Sequence, residues 1–214
     1  MTQVSRAKEA SQPRRQRLDP EIRAEMIMDV TAKIVAEEGV GVITMDLIGR
    51  KAGISKSLVY NYFPNVSELL VAVLTRELKR LREAQAEAMQ KADTFEGLVR
   101  GVTRAYVQHI QERGLIIERL QSEPTISERG DPTQYDRSSA VKALAKLLAK
   151  QFGFPPHLAE MVTDISFGIP AAAGAFLLNT GASPEEVEDV TVKMIIGSVT
   201  AVATDRMVSQ KSLG

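Results

Sequence analysis

Apolar residues recur along most of the chain at the three- and four-residue spacing of amphipathic helices, and the alternating runs typical of strands are nearly absent. The first periodic stretch begins after Asp19 and Pro20, which suit the cap and first position of a helix, and Gly39 suits its end. Its apolar positions are Ile22, Met26, Ile27, Val30, Ile34 and Val35. The pattern predicts an all-α protein of about nine helices.

The chain beyond residue 65 is predicted to supply most of these helices. Asn65 and Glu68 form a capping box that starts a long helix, and its charged residues, Glu77 among them, are expected on a solvated face. The next helix is expected to begin at the Thr94 cap and to end near Gly114. The remaining predicted elements are a short helix or turn at 115–120, a loop at 122–132, and helices at about 133–151, 157–179 and 184–208.

The segment Thr44–Phe63 predicts two short helices joined by a tight turn. Thr44 and Ser55 suit the caps of the two helices, and Gly53 can adopt the left-handed conformation that the turn needs. Ile54 is expected to fill the inside of the turn. Small caps, a glycine turn and a short polar second helix are typical of a helix-turn-helix that enters the major groove of DNA.

Several residues of this segment match a family pattern in order and at fixed spacing. The matching positions are Ala52, Gly53, Ile54, Ser55, Tyr60, Tyr62 and Phe63, followed by Pro64, Asn65, Glu68, Leu69 and Leu70. With these residues the segment resembles the TetR family of bacterial transcriptional regulators. Gly49, Leu58 and Val66 depart from the residues usual at their positions, and the family's phosphate-binding lysine is missing at Val66.

The resemblance implies a role in DNA binding for seven residues. Thr44 and Tyr60 would contact backbone phosphates, and Lys56 would add a positive charge. Ser55, Ser57, Leu58 and Asn61 would face base edges. Alternatives stay open for four of these residues: Thr44 and Ser55 could serve only as helix caps, Lys56 could be a solvated charge, and Tyr60 could belong to the core. Tyr62 and Phe63 are interpreted as core.

The carboxyl-terminal helices contain many small residues, which let helices approach one another closely. The resemblance implies that the last two helices form a four-helix bundle with a second copy across a twofold axis. The candidate interface residues are Gly168, Ala172, Ala175, Gly197 and Ala201. The alternative is close packing within one chain.

A pocket for a small-molecule effector would lie among the central helices. Its candidate residues are Met89, Phe95, Tyr106, His109, Leu120, Phe167 and Phe176, and each could equally be ordinary core. Because most of them are apolar, the sequence favours a lipophilic effector.

Composition excludes several classes of chemistry. The 214 residues include no cysteine and only two histidines, so disulfides, thiolate sites and histidine-rich metal sites are excluded, and no cofactor is predicted. The chain lacks the apolar run of a membrane helix and the pattern of a signal peptide, which leads us to expect a cytoplasmic protein without a membrane partner.

Net charge is zero overall, but the first 18 residues carry five basic side chains against one acidic side chain. We therefore predict a flexible basic tail at 1–18, a helix-turn-helix domain at 19–65, and a ligand-binding and dimerisation domain at 66–214. The whole chain is interpreted as a sequence-specific DNA-binding transcriptional regulator, a repressor that an effector releases from a pseudo-palindromic operator. No catalytic motif supports an enzyme. One alternative is an architectural or cell-division factor of the same fold that binds DNA without an effector, and another is activation of transcription instead of repression.

Overall fold

The computed structural model describes residues 19–127 and 134–211, with side chains at 19–126 and 137–205. The basic tail predicted at 1–18 lies outside the described residues. Within them the chain forms helices and no strands, which confirms the all-α prediction. The helices are α1 Pro20–Glu38, α2 Met45–Ala52, α3 Lys56–Tyr60, α4 Val66–Gln90, α5 Phe95–Gln121, α6 Pro124–Ser127, α7 Gln134–Phe152, α8 Pro156–Ser166, α9 Gly168–Thr180 and α10 Pro184–Lys211.

Two predicted boundaries around α5 are wrong. The helix does not end at Gly114 but continues to Gln121, and it absorbs the separate helix predicted at 115–120. Gly114 is instead a point of close approach, since a β-carbon there would lie 3.0 Å from Leu178 Cδ2 of α9. The predicted loop at 122–132 contains the short helix α6, because Ile126 turns inward and is buried.

The single helix predicted at 157–179 is divided into α8 and α9. Phe167 keeps a helical backbone between them. Pro170 has no N–H to donate to the carbonyl of Ser166, so the ladder of backbone hydrogen bonds is interrupted there. The division and α6 add two helices to the predicted nine, and the continuation of α5 through 115–120 removes one. The described residues therefore form ten helices.

One hydrophobic cluster, which we call the amino-terminal core, joins the first six helices. It includes Ile27, Ile34, Ile48, Val59, Leu69, Val73, Ile116, Ile117, Leu120 and Ile126. The helix-turn-helix is thus closed from behind by the first half of α4 and by the end of α5. Smaller clusters join α5 to α9 and α10, and the end of α7 to α8 and α10. Helix α5 contacts both halves of the protein and is its central element.

Candidate nucleic-acid interface

Side-chain caps and one glycine set the turn between α2 and α3. Thr44 Oγ1 accepts a hydrogen bond from the backbone N–H of Leu47 at 3.1 Å, and Ser55 Oγ accepts one from Leu58 at 3.2 Å. Gly53 lies in the left-handed region with φ +68°, as the turn requires. Each cap uses one acceptor site of its hydroxyl group and leaves the O–H available to donate. The capping role therefore does not exclude a hydrogen bond from Thr44 or Ser55 to DNA.

Helices α2 and α3 approach each other more closely than most packed helices allow. A β-carbon on Gly49 would lie 2.9 Å from the backbone oxygen of Ile54 and 3.3 Å from the backbone nitrogen of Lys56. Both of these atoms belong to the backbone and cannot rotate away. The close approach explains why glycine occupies this helical position.

The outer face of α3 is polar and carries a positive charge. Ser55, Lys56, Ser57, Tyr60 and Asn61 are exposed, as is Thr44 at the start of α2. Leu58 is half-buried. The ammonium nitrogen of Lys56 lies 5.9 Å from the centroid of the Tyr60 ring, so the two side chains share one edge of the face. The structure brings all seven candidate DNA-binding residues to α3 and the start of α2.

The opposite side of α3 anchors it to the protein. Val59 is fully buried in the amino-terminal core, and Tyr62 and Phe63 pack against that core while half-buried. The helix is therefore presented from a rigid support. A five-residue helix with a buried valine, a polar outer face and a lysine is the size and chemistry that a major groove accepts.

Comparisons with known proteins relate the segment that contains α2 and α3 to bacterial regulatory proteins. Residues 27–73 match the family model described as "Bacterial regulatory proteins, tetR family". The match is confined to this segment, which includes α2 and α3.

Two curated relatives that are similar to parts of this chain are regulators. The HTH-type transcriptional regulator BetI of Rhizobium meliloti (strain 1021) is 32% identical over 34% of this chain and 36% of its own. The HTH-type transcriptional activator FasR of Mycolicibacterium smegmatis is 23% identical over 76% of this chain and 75% of its own. This chain thus spans only about a third of the length of BetI.

Solved structures share the fold over more than four fifths of this chain. A TetR-like transcriptional regulator from Rhodococcus sp. RHA1 has a TM-score of 0.67 at 19% identity, covering 86% of this chain and 99% of its own. SmeT in complex with triclosan has a TM-score of 0.62 at 17% identity, covering 83% of this chain and 91% of its own.

The seven candidate effector-binding residues are spread over several environments. Leu120 is fully buried in the amino-terminal core, and Phe95 packs edge-on against Phe152 with ring centroids 5.2 Å apart. Tyr106 lies directly on Gly174, where a β-carbon would come within 2.8 Å of the hydroxyl oxygen. Phe176 is exposed. The structure therefore does not bring these side chains into one site.

The three other candidates lie on α4, on α5 and between α8 and α9. Met89 is half-buried near the end of α4, and Phe167 lies between α8 and α9 beneath the guanidinium of Arg137. His109 lines an open crevice of about 820 Å³ between α4 and α5. Small residues such as Ala88 and Gly101 make room for this crevice, and charged side chains also line it.

All five candidate dimer residues are exposed on the single chain. They lie on α9 and α10, and large apolar side chains are exposed on the same helices and on α8, namely Met161, Ile165, Phe176, Val190 and Met194. We call this set the carboxyl-terminal apolar face. Gly174, by contrast, points inward to Tyr106, so the small residues of α9 serve two different surfaces.

The α8–α9 segment, Pro156–Thr180, is long and apolar enough to cross a membrane by length and composition alone. Most of it is exposed on the single chain, because its apolar residues belong largely to the carboxyl-terminal apolar face. One side of it packs on α5, α7 and α10. Its apolar character therefore reflects an uncovered surface.

Sequence reasoning placed Glu77 on a solvated face, which is wrong. Its side chain is 0% exposed and receives hydrogen bonds from Arg76 and Arg113. The position itself contained the signal, because Glu77 lies four residues after Val73 and four before Leu81, in phase with the buried side of α4. Arg113, on the following helix, was not singled out from the sequence.

Proposed function

We propose that this protein is a sequence-specific DNA-binding transcriptional regulator that inserts α3 into the major groove of a pseudo-palindromic operator. The observation that carries the proposal is the polar, positively charged outer face of α3 on a buried support. Thr44, Lys56 and Tyr60 are assigned to phosphates, and Ser55, Ser57, Leu58 and Asn61 to base edges.

Two substitutions on α3 test this assignment. Lys56→Ala removes a phosphate contact, so we expect weaker binding to operator and random DNA alike and a salt slope lower by about 2 per dimer. Asn61→Ala should relax the preference at particular base pairs, with little change for random DNA. Both are measured by fluorescence anisotropy over a salt series on an operator selected from random duplexes.

A matched control is Lys146→Ala, which removes an equally exposed lysine from α7. It should leave both the affinity and the salt slope unchanged. An unchanged affinity in a Lys56→Ala, Tyr60→Ala double variant would contradict the placement of α3 in the groove.

We also propose that the DNA-binding form is a homodimer formed through the carboxyl-terminal apolar face. The support is the large apolar side chains exposed on α8, α9 and α10, beside the five small residues that allow close helix approach. A monomer in water rarely leaves so much apolar surface uncovered. Two copies related by a twofold axis would present two α3 helices, which matches the symmetry of a palindromic operator.

We infer that a small, mostly apolar effector acts on α5 and lowers DNA affinity. Support comes from the triclosan complex of the structural neighbour SmeT and from the packing of Tyr106 on Gly174. A ligand that enters between α5 and α9 must displace Tyr106 and so shift α5, which also contacts α1. A tenfold release requires about 1.4 kcal/mol of differential affinity between the two states.

A reciprocal titration tests the effector proposal. Thermal stabilisation across a panel of small apolar compounds, with triclosan as the first, identifies a ligand. Its dissociation constant is then measured with and without saturating operator, and we expect weaker binding with operator by the same factor that the ligand weakens DNA binding. Identical constants would contradict the switch. Operator binding without stabilisation by any compound would favour the architectural alternative.

A further inference from the structure

A chain of hydrogen-bonded charged side chains connects α5 to α4 and α4 to α1. Arg113 on α5 donates two hydrogen bonds to Glu77 on α4, Nε to Oε2 and Nη2 to Oε1, both at 2.8 Å. Arg76 donates to Glu77 Oε1 at 3.0 Å and, through its other terminal nitrogen, to Glu25 and Asp29 of α1 at 3.0 and 2.8 Å. We call these five residues the interdomain junction.

The junction is buried at its centre and balanced in charge. Glu77 is 0% exposed, Arg76 8% and Arg113 29%. Burial raises the pKa of Glu77, but the hydrogen bonds and charges of Arg113 and Arg76 outweigh this effect, so its pKa lies below the ordinary value. With Arg80 close to both Glu25 and Glu77, three cations face three anions. The carboxylate of Glu77 is therefore ionised and fully engaged.

A buried ion pair contributes geometry more than stability. Apolar residues of similar volume would hold the helices together at least as well, because the desolvation of both charges opposes their attraction. A bidentate guanidinium–carboxylate contact differs from apolar packing in fixing both a distance and an angle. Apolar surfaces can slide past one another by small steps, whereas the Arg113–Glu77 pair allows one register.

A second contact ties α5 to α1 further along both helices. Arg119 Nη1 donates to the carbonyl oxygens of Val35 and Ala36, near the end of α1, at 2.7 and 2.9 Å. Asp29 and Val35 are six residues apart on α1, as are Arg113 and Arg119 on α5, which is roughly 9 Å along each helix. The junction and the Arg119 contact thus hold α1 at two points along its length. A change in the angle of α1 relative to α4 and α5 strains at least one of these contacts.

The interdomain junction also lies close to the crevice between α4 and α5. His109 lines the crevice and lies one turn before Arg113 on the same helix. Its Nε2 is buried and, like Nε of Arg76, has no hydrogen-bond partner in the described structure. Separation of α4 from α5 at the crevice thus reaches the Arg113–Glu77 pair within one helical turn.

We propose that the Arg113–Glu77 pair, which joins α5 to α4 and through Arg76 to α1, is the positioning contact that sets the angle of α1, α2 and α3 on α4 and α5. The proposal rests on the DNA-reading function proposed above. These residues lie away from α3, and their effect on the operator is exerted through α1. Breaking the pair should therefore disturb the relative placement of the two α3 helices in a dimer and leave each DNA-contact face intact.

The test compares Glu77→Gln and Arg113→Gln with a matched control, Glu188→Gln. Glu188 accepts a comparable bidentate contact from Arg104 of the same α5 helix, at 3.0 Å for both nitrogens, but it ties α5 to α10 instead of α4. Operator affinity is measured on duplexes whose half-sites are moved together or apart by one base pair. Affinity for random DNA is measured in parallel.

We expect Glu77→Gln and Arg113→Gln to lower operator affinity by roughly tenfold and to flatten the preference for one half-site spacing, with random-DNA affinity unchanged. Glu188→Gln should behave as the wild type. Arg113→Lys keeps the positive charge but loses the bidentate contact, so its operator affinity should lie between those of the wild type and Arg113→Gln. If Glu77→Gln does not fold, Arg113→Lys provides the test of the proposal. An unchanged spacing preference in the folded variants would overturn the proposal.

Hydrogen exchange without DNA separates this proposal from the DNA-reading function. In Arg113→Gln we expect faster exchange of the α1 amides than in the wild type, and in Glu188→Gln we expect no change in α1. If the wild type binds no operator, the DNA-reading function fails, while faster α1 exchange would still support the junction as the contact that fixes α1. Unchanged α1 exchange would contradict the junction whatever the DNA result.

Discussion

At the scale of single residues, Gly49 shows two effects in competition. Alanine is a better helix former than glycine by up to about 1 kcal/mol, so propensity alone favours replacing it. The position nevertheless offers no room for a methyl group, because the nearest atoms belong to the backbone at Ile54 and Lys56. Overfilling such a contact costs about 1–3 kcal/mol, so the close approach of α2 and α3 outweighs propensity.

Gly49→Ala should therefore lower the free energy of unfolding by about 1 kcal/mol and weaken operator binding, since α3 must shift to admit the β-carbon. Urea unfolding and DNA titration measure the two effects. Gly41→Ala is the control: no atom lies within 4 Å of a β-carbon there and its φ is not positive, so the same substitution should not destabilise the protein. A Gly49→Ala protein that is more stable than the wild type would contradict the prediction, because it would show that α3 shifts to admit the β-carbon at little cost in free energy.

At the scale of elements, helix α9 separates its small residues by direction. Gly174 lies under Tyr106 and serves packing within the chain, whereas Ala172 and Ala175 are exposed on the carboxyl-terminal apolar face. The same division explains why composition alone left dimerisation and internal packing as alternatives. Only the positions of neighbouring helices decide which small residues are left for a partner.

Ala201→Arg on α10 should prevent the proposed dimer, because it places a charge on the carboxyl-terminal apolar face. We expect light scattering to give the mass of a monomer, operator affinity to fall by at least tenfold, and thermal unfolding of the chain to remain cooperative. Ala143→Arg adds the same charge at an exposed position of α7 and should change neither mass nor affinity. A wild-type protein that is monomeric at micromolar concentration would contradict the dimer.

The elements also show how far sequence patterns reach. Caps and turns are local, and the predicted starts of α1 at Asp19, α4 at Asn65 and α5 at Thr94 are all confirmed by side-chain hydrogen bonds. The polar face of α3 was likewise visible in Ser55–Asn61. What the pattern missed depended on another helix: Gly114 continues α5 because Leu178 packs on it, and Glu77 is buried because two arginines reach it.

At the scale of the whole molecule, two buried titratable groups link stability to pH. Burial lowers the pKa of His109, with Glu77 opposing the shift and Arg113 supporting it, and Glu112 and Arg80 making smaller contributions of opposite sign. The pKa of Glu77 is also below its ordinary value. In both cases the unfolded chain binds the proton first as the pH falls, so stability is lost on acidification.

The free energy of unfolding should decline as the pH falls below about 6.5, where an unfolded histidine gains its proton, and decline again in the carboxylate range. His109→Gln should remove the first decline and leave the second. Urea unfolding across a pH series measures this, with the exposed His157→Gln as control. Parallel curves for His109→Gln and the wild type would show that another group causes the upper decline.

The amino-terminal core has a consequence for how such proteins can be recombined. Ile116, Leu120 and Ile126, far along the chain, complete the packing beneath the helix-turn-helix. A fragment that ends after α3 would expose the apolar face that these residues and Leu69 and Val73 cover, so it should not fold by itself. Transfer of the helix-turn-helix to another protein thus requires two separate stretches of this chain, one from α1 to the first half of α4 and one from the end of α5 to α6. Under the DNA-binding role proposed above, substitutions on the outer face of α3 change DNA specificity without disturbing this core.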